Sequence, residues 1–299
     1  MTFDLSRRRL LVTGAAGLLL PSMAWATEAV TATAQSVALK GPDGRVISAW
    51  HWRAKGRRLG TIVFSHGALS APRKYALLIQ PWVAAGYDVV APLHVDSTDH
   101  PHRADFPGLT GWTARIEDMR AVSAYVGGRY IAAGHSYGGL TALTLGGCDA
   151  MVPAGVAAPL RDPNARVVLA FSPPPAIPVL MGPRGYSTLA VPALIQTGTA
   201  DLPPGAPAGP DGWRAHLDAY EAAADGGDRY ALVLDDVDHY FGGAICDPDK
   251  PGPARADQVA RAVDVSLMFL RAYAGKSAPA RKAIDARLGR SEGMTLYHK

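Results

Sequence analysis

The chain has 299 residues, 48% of them hydrophobic and 19% charged, and a formal net charge of +4. That balance suits a globular protein with a sizeable core, long enough for one large domain or two small ones. Several of the basic residues sit at the two ends, in "SRRRL" and in Lys276–Lys299; the sequence shows no internal basic stripe with interleaved aromatics, and nucleic acid is not expected as a partner. Composition fixes no oligomeric state.

The first element is a trap. "LLVTGAAG", Leu11 to Gly17, reads like the opening strand and glycine loop of a dinucleotide-binding fold, but "LLLP" follows. The third glycine and the downstream acid that such a site needs are missing. A basic cluster (Arg7, Arg8, Arg9), an apolar run from Leu10 to Leu20 and the small-residue site "AWA" at 24–26 fit a removed export signal better. "SRRRLL" resembles the twin-arginine address. The apolar run is too short to span a membrane, and no cysteine stands near the cleavage site, so no stable membrane anchor is expected. Residues 1–26 are read as signal, and 27–299 as one periplasmic or secreted domain.

Along that domain, "SVALK" (36–40) and "VISAWHW" (46–52) alternate and flank the turn "GPDG", predicting an antiparallel hairpin at a sheet edge. Continuous apolar runs follow at 61–66, 87–92, 130–135, 166–172, 192–198 and 230–236, as parallel strands buried on both faces require. Between them lie helical stretches at 73–86, 111–128, 137–147 and 212–227, and the segment 254–275 closes the core with apolar residues at helical spacing. The expected fold is α/β: a mostly parallel eight-stranded sheet flanked by helices. Lys276–Lys299 reads as a surface helix plus a frayed tail.

Open α/β sheets present their ligands at the carboxyl ends of strands. The fifth predicted strand runs into Gly134-His135-Ser136-Tyr137-Gly138, the Gly-x-Ser-x-Gly pattern that holds a serine at a sharp strand-to-helix turn. The seventh runs into "TGTADLPPG", which delivers Asp201, and the eighth into "DVDHYFGG", which delivers His239. A serine hydroxyl needs a neighbouring base to take its proton. His239 is the candidate base, and Asp201 the acid that would fix its tautomer and steady the imidazolium. Asp211, Asp236 and Asp238 are nearby competitors for the acid. Oxyanion donors are expected from the backbone N–H of Tyr137 and from Ala68 in "FSHGALS".

Taken together, "VFSHGALS", "GHSYGG" and the Asp201 and His239 segments resemble the serine esterases of the α/β-hydrolase superfamily, over roughly 61–274. The nearest likeness is to platelet-activating-factor acetylhydrolase-like and dienelactone-hydrolase-like esterases. His66-Gly67-Ala68 and His135-Ser136-Tyr137-Gly138-Gly139 match the acetylhydrolase-like pattern. The resemblance implies a catalytic triad acting on a small-molecule ester, with no cofactor and no metal. Dienelactone hydrolases typically carry cysteine as nucleophile; serine here points to ordinary esters. Where those families often continue with glycine, Leu69 and Ser70 stand. The same machinery would also serve a lactone, thioester or amide, and a noncatalytic binding protein on this fold is the alternative from another class.

Leu69 and Trp112 are candidates for lining the acyl pocket, although an aromatic at a helix start is more often core. His66 and His135 are expected to orient loops. The His/Asp-rich stretch 94–105 is expected to rim a cleft or face solvent rather than bind metal. Cys148 and Cys246 allow a bridge in an oxidising compartment, or stay separate thiols. Only about 19 residues, "PPPAIPVLMGPRGYSTLAV", separate the sixth and seventh strands, too few for a helical lid, so the cap is short.

Overall fold

The computed structural model describes residues 32–182, 184–204, 209–250 and 252–299; the signal read at 1–26 lies outside them. Strands β1 (Ala34–Lys40) and β2 (Val46–Trp52) form the expected antiparallel hairpin. Then come β3 (Gly60–Ser65), α1 (Ala76–Ala84), β4 (Tyr87–Pro92), α2 (Trp112–Val126), β5 (Tyr130–His135) and α3 (Tyr137–Leu145). They are followed by β6 (Ala165–Phe171), β7 (Ala193–Gly198), α4 (Asp218–Ala222), β8 (Arg229–Leu234) and α5 (Ala256–Tyr273). The chain ends with α6 (Ala278–Asp285), β9 (Gly289–Ser291) and β10 (Met294–His298).

All strands join one sheet in the order β1-β2-β4-β3-β5-β6-β7-β8-β10-β9. From β4 across to β8 every pairing is parallel, and both edges are antiparallel additions. Strands β4, β5, β7 and β8 are buried along their whole length. Side chains alternate between two cores, as a period of two demands. Ile62 and Phe64 face the core built with Trp82 of α1 and Phe269 of α5, whereas Val63 faces that of Ile116 and Met119 of α2 and Leu140 of α3. The chain leaves β3 in one direction to make β4 and returns on the other side of it to make β5. The crevice beyond β3 and β5 is therefore the switch point where such sheets bind ligands.

One expectation is corrected and one open alternative is narrowed. The tail is not frayed: β10 pairs antiparallel with β8, and Met294 and Leu296 are each 1% exposed. The free edge of β8 needs a partner, and alternation within "MTLYH" supplies an apolar face. Among the described residues the sheet thus has ten strands rather than eight. The cysteines are both free and buried. Cys246 belongs to the α1/α5 core and Cys148 to the α2/α3 core, so the sheet lies between them and no bridge forms.

Candidate active site

Ser136 sits between β5 and α3 with φ 55° and ψ −122°, a left-handed conformation that a side-chain-bearing residue adopts only under constraint. Tight packing supplies the constraint. A methyl group on Gly138 would collide with the carbonyl oxygens of Ser65 and His66, and one on Gly134 with those of Gly138 and Ser65. Only glycine lets β3, β5 and the start of α3 approach this closely. The Ser136 N–H donates to Phe171 O at 2.8 Å, which fixes the turn to β6. Tyr137 opens α3, so its N–H is one of the unpaired donors at the positive end of that helix.

The loops after β7 and β8 are zipped together. Thr199 N–H donates to Leu234 O at 2.9 Å and Ala200 N–H to Val237 O at 3.1 Å. Asp201, fully buried, is thereby brought to His239, whose Nδ1 lies 2.8 Å from Asp201 Oδ1. Thr197 Oγ1 donates to the other carboxylate oxygen at 3.0 Å. Burial alone would raise the pKa of Asp201, but the contacts from His216 and His239 overcome it and hold the carboxyl far below its ordinary range. Asp238 does a different job: its Oδ1 accepts from the Tyr240 and Gly242 N–H groups at 3.0 and 2.7 Å, closing the turn that carries His239.

His216 was not singled out from the sequence. It is buried, its Nδ1–H donates to Pro173 O at 2.7 Å, and its Nε2 lies 2.8 Å from Asp201 Oδ1, out of line for a full hydrogen bond. Its pKa is raised: burial works against the charged ring, but the adjacent carboxylate outweighs it. His239 is flanked by His216 and His135, with ring centroids 5.5 and 4.7 Å away. Asp201, His216 and His239 converge closely enough to suit a metal ion, but an ion there would have to displace the His239–Asp201 hydrogen bond.

The two loop-orienting histidines act through backbone. His135 Nε2–H donates to His239 O at 2.9 Å; its Nδ1 accepts from Tyr75 Oη, which in turn accepts from Gly67 N–H. His66 Nδ1–H donates to Gly67 O at 2.7 Å, and its Nε2 accepts from His94 N–H. Burial pushes both rings well below the usual histidine pKa, so both are neutral.

Ser136 and His239 open onto one cavity of about 390 Å³, lined also by Ala68, Leu69, Pro174, Ile177, Leu202 and Tyr240. Leu69 is exposed at the mouth. Trp112 is not part of the lining: it is buried against the Tyr137 ring and donates from Nε1 to Met151 O at 3.0 Å. Nor does any residue of 94–105 line the cavity. His94 and Asp96 are buried in the framework, whereas Asp99, His102 and Asp105 are exposed. His94 forms a look-alike of the site, with Nε2 2.9 Å from Ser65 Oγ and Nδ1 2.8 Å from Asp118 Oδ2. All three members are fully buried and Arg45 occupies the other Asp118 oxygen, so this serine has no route to a substrate.

A profile of the alpha/beta hydrolase family matches residues 62–283. The chain belongs to the alpha/beta hydrolase family. Solved structures agree on the fold of this hydrolase. The esterase domain of a Rhodothermus marinus protein is 15% identical, with a TM-score of 0.53 over 81% of this chain and 99% of that one. Thermogutta terrifontis esterase 2 is 18% identical, with a TM-score of 0.55 over 82% and 96%. A puromycin-hydrolyzing peptidase of Mycobacterium tuberculosis is 17% identical, with a TM-score of 0.54 over 81% of this chain but 40% of that one. No curated protein sequence matches the chain.

Proposed function

We propose that this hydrolase is an exported, cofactor-free serine esterase in which Ser136 is the nucleophile, His239 the general base and Asp201 the acid that orients it. The observation that carries the reading is the meeting of three features at one cavity. Ser136 is held at a strained strand-to-helix turn, His239 opens onto the same cavity, and His239 is hydrogen-bonded to a buried, ionised carboxylate. Its motifs favour the acetylhydrolase-like esterases within the family. Export rests on the basic, apolar and small-residue succession at 7–26.

In this reading His239 takes the Ser136 proton as Oγ attacks the ester carbonyl. The Ala68 and Tyr137 N–H groups receive the negative charge that develops on the carbonyl oxygen. The imidazolium then protonates the departing alcohol and leaves an acyl-serine. Water, deprotonated by the same ring, attacks that carbonyl, and Ser136 recovers its proton as the acid departs. Asp201 keeps the proton of His239 on Nδ1, so that Nε2 is the working nitrogen. Among the described residues lining the cavity, the only titratable side chains besides the two histidines are Tyr240 and Cys246, which favours a small uncharged ester over an acidic or basic one.

Hydrolysis of p-nitrophenyl acetate and butyrate by the purified mature chain, beside Ser136→Ala, tests the proposal. Turnover by the wild type that the variant lacks is the expected result. A folded wild-type protein without turnover on any short ester would exclude an esterase.

A further inference from the structure

Against the loop after β3 lies a charged group that none of the three proposed reacting residues explains. Arg115 of α2 is fully buried, with the guanidinium spread over the loop after β3. Its Nη1 donates to His66 O at 2.8 Å and to Ser65 Oγ at 3.2 Å. Its Nη2 donates to Gly67 O at 3.3 Å and to Asp96 Oδ2 at 2.8 Å. The guanidinium carbon stands 4.3 Å from the centre of the Tyr137 ring.

Gly67 C=O and Ala68 N–H belong to one planar, trans peptide unit, in which the two groups point in opposite directions. Whatever holds the Gly67 oxygen therefore aims the Ala68 N–H. Three buried donors hold it: His66 Nδ1–H at 2.7 Å, the Ser70 N–H at 3.2 Å and Arg115 Nη2 at 3.3 Å, of which only Arg115 also reaches the preceding peptide oxygen and the Tyr137 ring. Donation to a peptide oxygen also polarises that peptide and strengthens its N–H as a donor. The other oxyanion donor, Tyr137 N–H, belongs to the residue whose ring the same guanidinium faces. We propose that Arg115 is the positioning residue of the oxyanion hole, orienting the Gly67–Ala68 peptide and bracing Tyr137. The proposal rests on the reading of Ala68 and Tyr137 as oxyanion donors in an ester hydrolase.

Stability alone gives a poor reason for such a group. A buried ion pair generally returns little over well-packed apolar side chains, and here Arg115 Nε and Asp96 Oδ1 are left without partners. The planar fork is what the arrangement uses, since a lysine ammonium cannot serve a carboxylate and three other oxygens in that geometry.

The test compares wild type with Arg115→Lys and Asp96→Asn. For each, kcat and KM are measured on p-nitrophenyl butyrate. Binding of an alkyl trifluoromethyl ketone, which adds to the serine and places an oxyanion in the hole, is set against its methyl ketone analogue, which mimics the ground state. Arg115→Lys is expected to lower kcat by about 10², approaching the loss of one oxyanion donor, with KM within about threefold. The trifluoromethyl ketone should weaken by the same factor as kcat/KM and the methyl ketone should not. Asp96→Asn should give a smaller loss of the same pattern. Unchanged kcat in Arg115→Lys, or a loss confined to KM, would overturn the proposal. If Arg115→Lys does not fold, undiminished trifluoromethyl ketone binding by Asp96→Asn overturns it equally. A wild type inert to both ester and ketone would instead sink the hydrolase reading, and this proposal with it.

Discussion

The acid partner of His239 had three competitors in the sequence, and geometry separates them at the level of single atoms. Asp201 faces Nδ1 of the ring, whereas Asp238 closes the turn beneath it. Ser136→Ala and His239→Ala should each lower kcat by roughly 10⁶, because the members of a triad act as a unit. Asp201→Asn should cost up to about 10⁴ by presenting the wrong tautomer, while Asp238→Asn should stay within about tenfold in steady-state kinetics, since an amide oxygen can still accept from Tyr240 and Gly242. Loss of activity in Asp238→Asn with near-normal Asp201→Asn would reverse the assignment. That Ser136, Asp201 and His239 come together was legible because each follows the carboxyl end of a strongly apolar strand, in the chain order serine, acid, histidine expected for α/β-hydrolases. Arg115 and His216 were not. Their partners are backbone oxygens and a carboxylate far away in sequence, and spacing alone does not place them together. One signal was available for Arg115: with Trp112, Met119 and Val122 it lies on the buried stripe of α2, where an unpaired charge is too costly to keep.

At the level of elements, the six parallel strands were readable within a residue or two, because burial on both faces writes a continuous apolar run. The final hairpin was not, because three- and five-residue strands carry too little pattern to stand out from a tail. Its removal should matter. Each buried apolar side chain contributes about 1.5–3 kcal/mol, so deleting Gly289–Lys299 removes the buried Met294 and Leu296, bares the β8 edge and should cost at least ~3 kcal/mol in urea unfolding. A deletion that left the midpoint unchanged would show that β10 is not integral. The segment between β6 and β7 is also decisive. It carries a single 3-10 turn, Gly185–Thr188, and no α-helix among its described residues. It is pinned by the Ala150–Met181 bridge and by Tyr186 Oη donating to Pro174 O at 2.6 Å. Such a rim is expected to stay open and rigid. With each buried methylene worth about 0.8 kcal/mol only while the pocket lasts, kcat/KM should rise from acetyl to roughly butyryl esters and then level or fall. Activity climbing through long acyl chains, or jumping at the micelle concentration, would mean a deeper or lidded site.

The molecule as a whole carries an acid-labile interior. His66, His94 and His135 are buried with folded pKa values well below the unfolded one, so the unfolded chain binds more protons below about pH 6.5. Each therefore removes up to about 1.4 kcal/mol of stability per pH unit as the pH falls. Asp118, raised by burial to about 7 despite Arg45, works in the opposite sense between pH 7 and 4, and His216 adds to it where its own raised pKa applies. Asp96, first raised by burial but brought to about 2 by Arg115, adds stability that is lost only as the pH falls from about 4 to 2. Three histidines outnumber the opposing groups below pH 6, so urea unfolding should show stability falling between pH 6 and 4. A flat profile there would mean that these rings are not held neutral. The central claim, that Ser136 is an activated nucleophile at the floor of an open cavity, is tested most directly by intact-mass and peptide analysis after treatment with a fluorophosphonate. One adduct per chain, mapping to the peptide that contains Ser136 and absent from His239→Ala, is the predicted result. A folded wild-type protein that stays unlabelled, or is labelled at another residue, would contradict it.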